Sequence, residues 1–324
     1  MHPLSPTHLL IPFAACSAEA WLPTVQALPP DSFKRLGQLL QGMKLVENDT
    51  QNPESLSPPH ERALARALGL ATLQTPDGLM PWAASDAAQH LQAGHGKAWA
   101  WITPCHWAMG HLHATLSDPA MLELPESESR ALLAIMQPYF ETDGITLHYL
   151  SAGRWLAEGE LFRDLPTASL DRVLARNVDA WLPGSAQARP LRRLQNEIQM
   201  LLYIHPFNDA REMQRQVPVN SFWISGTGDL PAPTEQPKEQ VSAPRSLAQA
   251  VFREDWAGYA QAWATLDAGE IAALLARQRA GENVRLTLCG EHSAQTFETH
   301  RAGLLTRISS LLSPLRTLDV LKQL

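Results

Sequence analysis

Two stretches concentrate the side chains whose types and spacing could do chemistry. The first is His106-Trp107-Ala108-Met109-Gly110-His111-Leu112-His113. Read as a strand over residues 111–116, it projects His111 and His113 to one face, with His106 across a turn. Three imidazoles so placed suit one Zn²⁺ or Mn²⁺, although neither a Cys nor a carboxylate stands beside them in a recognised metal spacing. The other reading makes them polar groups that line a cleft or cap loops.

The second stretch is His205-Pro206-Phe207-Asn208-Asp209-Ala210-Arg211, followed by Asn220 and the pair Gly226 and Gly228. An amide and a guanidinium near a Pro-fixed turn, with glycines at a strand end, fit a wall that faces a small anion. The architectural reading has Asn208 capping the next helix, Arg211 pairing with Asp209 or Glu197, and Asn220 satisfying loop backbone. Arg189, Arg192 and Arg193 either hold an anion or form a solvated face. Glu126 and Glu128 favour a helix dipole. Ser17 reads as a helix N-cap rather than a nucleophile.

Recognisable elements position these residues. His8-Leu9-Leu10-Ile11-Pro12-Phe13 is a short buried strand, and residues 32–42 a helix that stops near Gly42. The polar run 47–53 reads as a loop, and Ser57-Pro58-Pro59-His60-Glu61 opens a helix. An Ala-rich helix spans 82–92. Strands follow at 98–103 and 111–116, then a helix from Glu126 to about Phe140 and a hairpin at 146–157. A further helix is capped near Ser169. Pro190 starts a helix whose Leu191, Leu194, Ile198, Leu201 and Leu202 bury one face. Residues 229–244 have linker composition. A helix over 267–279, a strand over 284–288 and C-terminal helices carrying Leu304, Leu305, Ile308, Leu311 and Leu312 complete the chain. Strands at both ends around a mixed middle predict a discontinuous α/β core, residues 1–95 and 229–324, with an inserted α+β region at 96–228.

Composition narrows the function classes. A net charge of −7 over 324 residues argues against a dedicated nucleic-acid surface. Cys16, Cys105 and Cys289 are few, odd in number and far apart, which predicts buried thiols in a reducing compartment. No secretory signal pattern and no apolar run of membrane length is evident, so a cytoplasmic protein is expected. Ten Trp residues, among them Trp82, Trp99, Trp101 and Trp107, are expected to pack a core.

The span from His205 to Arg211, with Pro218-Val219-Asn220-Ser221-Phe222-Trp223-Ile224-Ser225-Gly226-Thr227-Gly228, resembles a segment of the archaeal-type cofactor-independent phosphoglycerate mutases. It is similar also to uncharacterised proteobacterial proteins, some of which are labelled regulatory. The likeness covers residues 190–228, with a looser echo of the preceding hairpin and the first strand. It implies an alkaline-phosphatase-like α/β fold with a mixed sheet. It also implies two metal ions that activate a Ser, held by Asp and His residues near both chain ends. At those places the sequence reads Phe13-Ala14-Ala15-Cys16 and Cys289-Gly290-Glu291-His292, not Asp-Gly and Asp-His.

The leading expectation is therefore a phosphoglycerate-mutase-like protein without the two-metal chemistry and with no assured cofactor. It would bind a phosphorylated or carboxylated metabolite, or a partner protein, in a regulatory role through His205, Asn208, Arg211, Asn220, Gly226 and Gly228. One alternative is a phosphomutase or phosphohydrolase with a rearranged metal site at His106, His111 and His113. Another is an interaction protein without a small-molecule ligand. Neither nucleic acid nor membrane is expected as a partner.

Overall fold

The computed structural model describes residues 7–110, 112–230, 240–300 and 317–324. The first third of the chain carries β1 (His8–Ile11), α1 (Trp21–Ala27), α2 (Lys34–Gln41), β2 (Met43–Thr50), α3 (Pro59–Ala67) and α4 (Trp82–His90). The middle carries β3 (Ala98–Cys105), β4 (Trp107–Met109), β5 (Ala114–Leu116), α5 (Glu126–Thr142), β6 (Thr146–Ser151), β7 (Arg154–Glu158) and α6 (Leu170–Val173). It continues through α7 (Arg189–Tyr203), α8 (Pro206–Met213) and β8 (Ser221–Asp229). The last part has β9 (Val241–Ser242), α9 (Ser246–Phe252), α10 (Trp256–Ala268), α11 (Glu270–Arg279), β10 (Arg285–Cys289), β11 (Ser293–Thr299) and α12 (Thr317–Leu321). The architecture is mixed α/β, in two compact units.

Unit 1 comprises Met1–Glu54, Pro58–Gly69 and Pro237–Leu324. Its sheet runs β2-β11-β10-β1-β9, with β1 parallel to β10 and β9, and β11 antiparallel to both of its neighbours. Side chains of β1 alternate between two buried faces, as a parallel strand covered on both sides requires. Leu9 and Ile11 join Leu286, Leu288 and residues of α1, α2, α10 and α11, whereas Leu10 joins Cys289, Ala63 and Ala294.

Charge hides one strand and a glycine divides one helix. The run at 47–53, expected as a loop, is strand as far as Thr50, because β2 is an edge strand paired to β11. Its acids are neutralised by α3: Arg62 and Arg66 donate to Asp49 at 3.1 and 3.0 Å, and Arg66 to Glu47 at 2.7 Å. The helix expected over 267–279 is two helices that meet at Gly269. Asp267, in the last turn of the first, accepts from the Leu36 amide at 2.9 Å, capping the start of α2.

Unit 2 comprises Ser55–Ser57 and Leu70–Gln236. Its antiparallel sheet runs β6-β7-β3-β8, beside a separate β4–β5 hairpin. Strand β3 shows why the sequence Ala98-Trp99-Ala100-Trp101-Ile102 folds as it does. Ala98, Ala100 and Ile102 face α5 and α7, packing near Leu132, Phe140, Leu194 and Ile198. Trp99 and Trp101 face α4, where Ala83, Ala84 and Ala87 leave room for the indoles. Each Leu or Ile so buried contributes about 1.5–3 kcal/mol.

The short segments bring further corrections. The strand expected over 111–116 is confined to Ala114–Leu116, and His113 lies in the hairpin turn, where its carbonyl accepts from the Gly110 amide at 3.0 Å. Ser169 caps a helix of only four residues. The Leu-rich segment at 304–312 lies outside the described residues.

Candidate functional site

In an open α/β sheet the carboxyl ends of parallel strands are the usual ligand site, and in unit 1 these are the ends of β1 and β10. They are closed by the chain itself. Phe13 turns the backbone in the left-handed region (φ 54°). The next amide, Ala14, donates to the Cys289 carbonyl at 2.8 Å. The Tyr259 hydroxyl bonds to the Phe13 and Ala14 carbonyls at 3.0 Å each and accepts from the Trp21 indole. Ala14, Ala15 and Cys289 are buried.

Ser17 is not a helix cap. Its amide donates to a Glu291 carboxylate oxygen at 2.7 Å, and its hydroxyl donates to the same oxygen. The pair ties the loop after β1 to the turn after β10. Cys16 beside it is half-buried, and burial, with the Glu291 charge adding, pushes its thiol up to about 11. Burial also raises the Cys289 and Cys105 thiols well above the ordinary range. None of the three cysteines is in a disulfide.

Unit 2 holds the residues of the second motif, and their polar atoms turn inward. His205, not Asn208, caps α8: its Nδ1 accepts from the Phe207 amide at 3.1 Å. Asn208 is buried within α8. Its Nδ2 donates to the Leu202 and Val219 carbonyls at 2.8 Å each, and its Oδ1 accepts from the Val219 amide at 3.0 Å. One side chain thus joins the end of α7 to the approach of β8.

Arg211, 1% exposed, is paired neither with Asp209 nor with Glu197. Its guanidinium binds the Glu128 carboxylate on α5, the Leu122 carbonyl, and the Val217 carbonyl at 3.0 Å. Glu128 therefore does more than favour the dipole of α5. Arg193 pairs with Asp143 and Glu197, and Arg192 donates to the Pro183 carbonyl at 3.0 Å.

Asn220 builds the wall of a cleft. Its Oδ1 accepts from the Trp107 amide at 2.7 Å and its Nδ2 donates to the Trp107 carbonyl at 3.0 Å, so the side chain behaves as a strand partner of β4. His106, adjacent, donates from Nδ1 to the Pro218 carbonyl at 2.8 Å. A Cβ on Gly226 (φ +63°) would lie 2.9 Å from the Trp101 ring, whereas at Gly228 the backbone (φ +129°) and not lack of space favours glycine, a Cβ there meeting Pro81 at 3.4 Å.

The cleft has a volume of about 510 Å³ and is lined by Trp107, Met109, Leu112, His113, Tyr203 and Asn220, with Asp179 and Gln199. The structure thus brings Asn220 and His113 to one concavity. His111 lies outside the described residues. Large apolar side chains in its lining and at the end of α7 are exposed: Met109 80%, Leu112 93%, Met200 75%, Tyr203 87% and Ile204 75%. Pattern reading missed these residues, yet α7 carries the signal. Leu191, Leu194, Ile198 and Leu202 account for its buried face. Met200, Tyr203 and Ile204, at i, i+3 and i+4, make a second stripe with no core to meet.

No family model matches the sequence, and no curated protein matches it. Among solved structures, the fold is similar to the cofactor-independent phosphoglycerate mutase of Thermoplasma acidophilum, at 12% identity and a TM-score of 0.35, over 98% of this chain and 99% of that one. It is similar also to the PH0037 protein of Pyrococcus horikoshii, at 11% identity and a TM-score of 0.45, over 92% of this chain and 88% of that one. Among the described residues no helix is long and apolar enough to cross a membrane.

Proposed function

We propose that the chain is a phosphoglycerate-mutase-like protein of the alkaline-phosphatase-like type that acts by binding a protein partner in a regulatory role, without two-metal phosphoryl transfer. The observation that carries this reading is the exposed apolar surface around the unit 2 cleft. Soluble proteins rarely expose a contiguous patch of that kind unless something covers it, and Met is favoured on such surfaces because it adapts to its partner. The donors at the ends of β1 and β10 support the other half of the reading. Two divalent ions need several anionic ligands. Here the described residues at the strand ends offer alanines, a buried thiol, a carboxylate engaged by Ser17 and the imidazole of His60 against Phe13. Those donors do not fit the pair of ions that the family resemblance implies.

A partner protein suits the cleft better than a small anion. Among its described lining residues the one carboxylate is Asp179, and none is Lys or Arg. The amide of Asn208 and the guanidinium of Arg211 are spent on building the wall.

The test is a substrate and metal screen on the full chain. Phosphatase and mutase substrates with added Zn²⁺ or Mn²⁺ should give no turnover, and phosphorylated three-carbon acids no thermal shift. Turnover with bound metal, lost in His113→Ala, would replace this reading with the rearranged-metal enzyme. A saturable thermal shift without turnover would restore the small-anion ligand.

A further inference from the structure

Resting on the reading that the unit 2 face binds protein, we propose that its partner is a second copy of this chain, with α7 packed antiparallel against its twin about a two-fold axis. Shape is the first argument. A two-fold interface places the same patch on both sides, so it must be self-complementary. The patch offers both halves of such a contact: Tyr203 and Ile204 stand exposed at the end of α7, and beside them lies the cleft of about 510 Å³, which Tyr203 itself lines. Each copy can fill the other's cleft with its own stripe.

Area is the second. Tyr203, the aromatic of the patch, presents up to about 150–250 Å². Met109, Leu112, Met200, Tyr203 and Ile204, each three-quarters exposed or more, bring the patch to the scale of the ~800 Å² per partner that a stable interface uses.

Charge is the third, and it sets the direction. Helix α7 is about 22 Å long. Its first turn carries exposed Arg189 and Arg192. The exposed acids Asp209 and Glu212 lie on α8, which starts three residues after α7 ends. Antiparallel twins set the basic end of each helix against the acidic α8 of the other. Parallel twins would set like charge against like.

Sedimentation equilibrium on the full chain tests this. The wild type should be a dimer in the micromolar range. Tyr203→Asp and Ile204→Arg should each weaken association by about 10-fold or more, as truncating an apolar anchor does. Both replace exposed side chains, so the fold should be kept, and melting temperatures should fall only by the lost association and match wild type at dilutions where it is monomeric. Arg192→Glu should weaken the dimer, and Arg192→Glu with Glu212→Arg should restore it. In a Cys16→Ser background, Met200→Cys should form a disulfide between copies on oxidation, a readout independent of the other variants. A wild type that stays monomeric, or a dimer that Tyr203→Asp and Ile204→Arg leave intact, overturns the proposal. A monomer without turnover sinks the dimer and spares the preceding reading. A dimer with metal-dependent turnover does the reverse.

Discussion

The ends of β1 and β10 in unit 1 and the α7 face of unit 2 both spend their polar groups internally, but only the α7 face leaves large apolar side chains exposed. At the strand ends, where a ligand site would be expected, backbone and side-chain groups bond to one another: Ala14 to Cys289, Tyr259 to Phe13 and Ala14, Ser17 to Glu291. At the α7 face the polar motif residues are likewise spent inside, but large apolar side chains are left in water. Water opposes exposed apolar surface at about 25 cal/mol per Å². The comparison teaches where to look for function: at the surface whose exposure the fold does not explain.

Substitutions can break this contrast, and the largest effect falls on the buried motif. Arg211→Ala leaves Glu128 and two carbonyls without their cation and should cost about 3 kcal/mol or more in chemical denaturation. Asn208→Ala strips partners from Leu202 and Val219 and should cost about 2–3 kcal/mol, since each unsatisfied buried group costs about 1–3. If both variants kept full stability and lost only ligand binding, these residues would belong to a ligand site and not to the wall.

Acid should sharpen the contrast from the unit 1 side. Burial pushes the Asp49 carboxyl up, but the hydrogen bond and charge of Arg62, with Arg66, outweigh this and hold it below its ordinary 3.8. A carboxyl depressed in the fold stabilises it fully above the unfolded value, and that stabilisation is lost as pH falls through the folded one. Asp49→Asn should therefore flatten the acid limb of a stability-against-pH curve below about pH 4 and lower stability above it. An unchanged limb would remove the Asp49–Arg62 pair from the account.

The Cys16 thiol, pushed up to about 11, should alkylate far more slowly at pH 8 than a free thiol, because the thiolate is the reactive form. Fast alkylation would mean that the strand end is open. The smallest expected effect is on stability at the α7 face: at dilutions where wild type is monomeric, Ile204→Arg should stay within about 0.5 kcal/mol of it.

Patterning made much of the fold legible. The apolar run of β1, the strand pattern of β3, the hairpin of β6 and β7, and the 3.6-residue repeat of Leu191, Leu194, Ile198 and Leu202 are local signals, and each marks a real element. β2 was not legible, because Glu47 and Asp49 read as solvated until α3 supplies Arg66 and Arg62. The break at Gly269 was lost within an Ala-rich helical run. For the candidate site, sequence located the wall but not the direction in which it faces. Asn208 and Arg211 have the chemistry of an anion site, and only their partners across 11 and 83 residues show that chemistry turned inward. The surplus stripe on α7 was present in the spacing of Met200, Tyr203 and Ile204, but exposure is a tertiary property.

The measurement closest to the central claim is turnover of phosphorylated three-carbon acids by the full chain with Mn²⁺ or Zn²⁺, compared with a Ser17→Ala/Glu291→Gln variant. The account predicts no turnover by either protein. Turnover by the wild type that the double variant abolishes would contradict it and make the strand ends an active site.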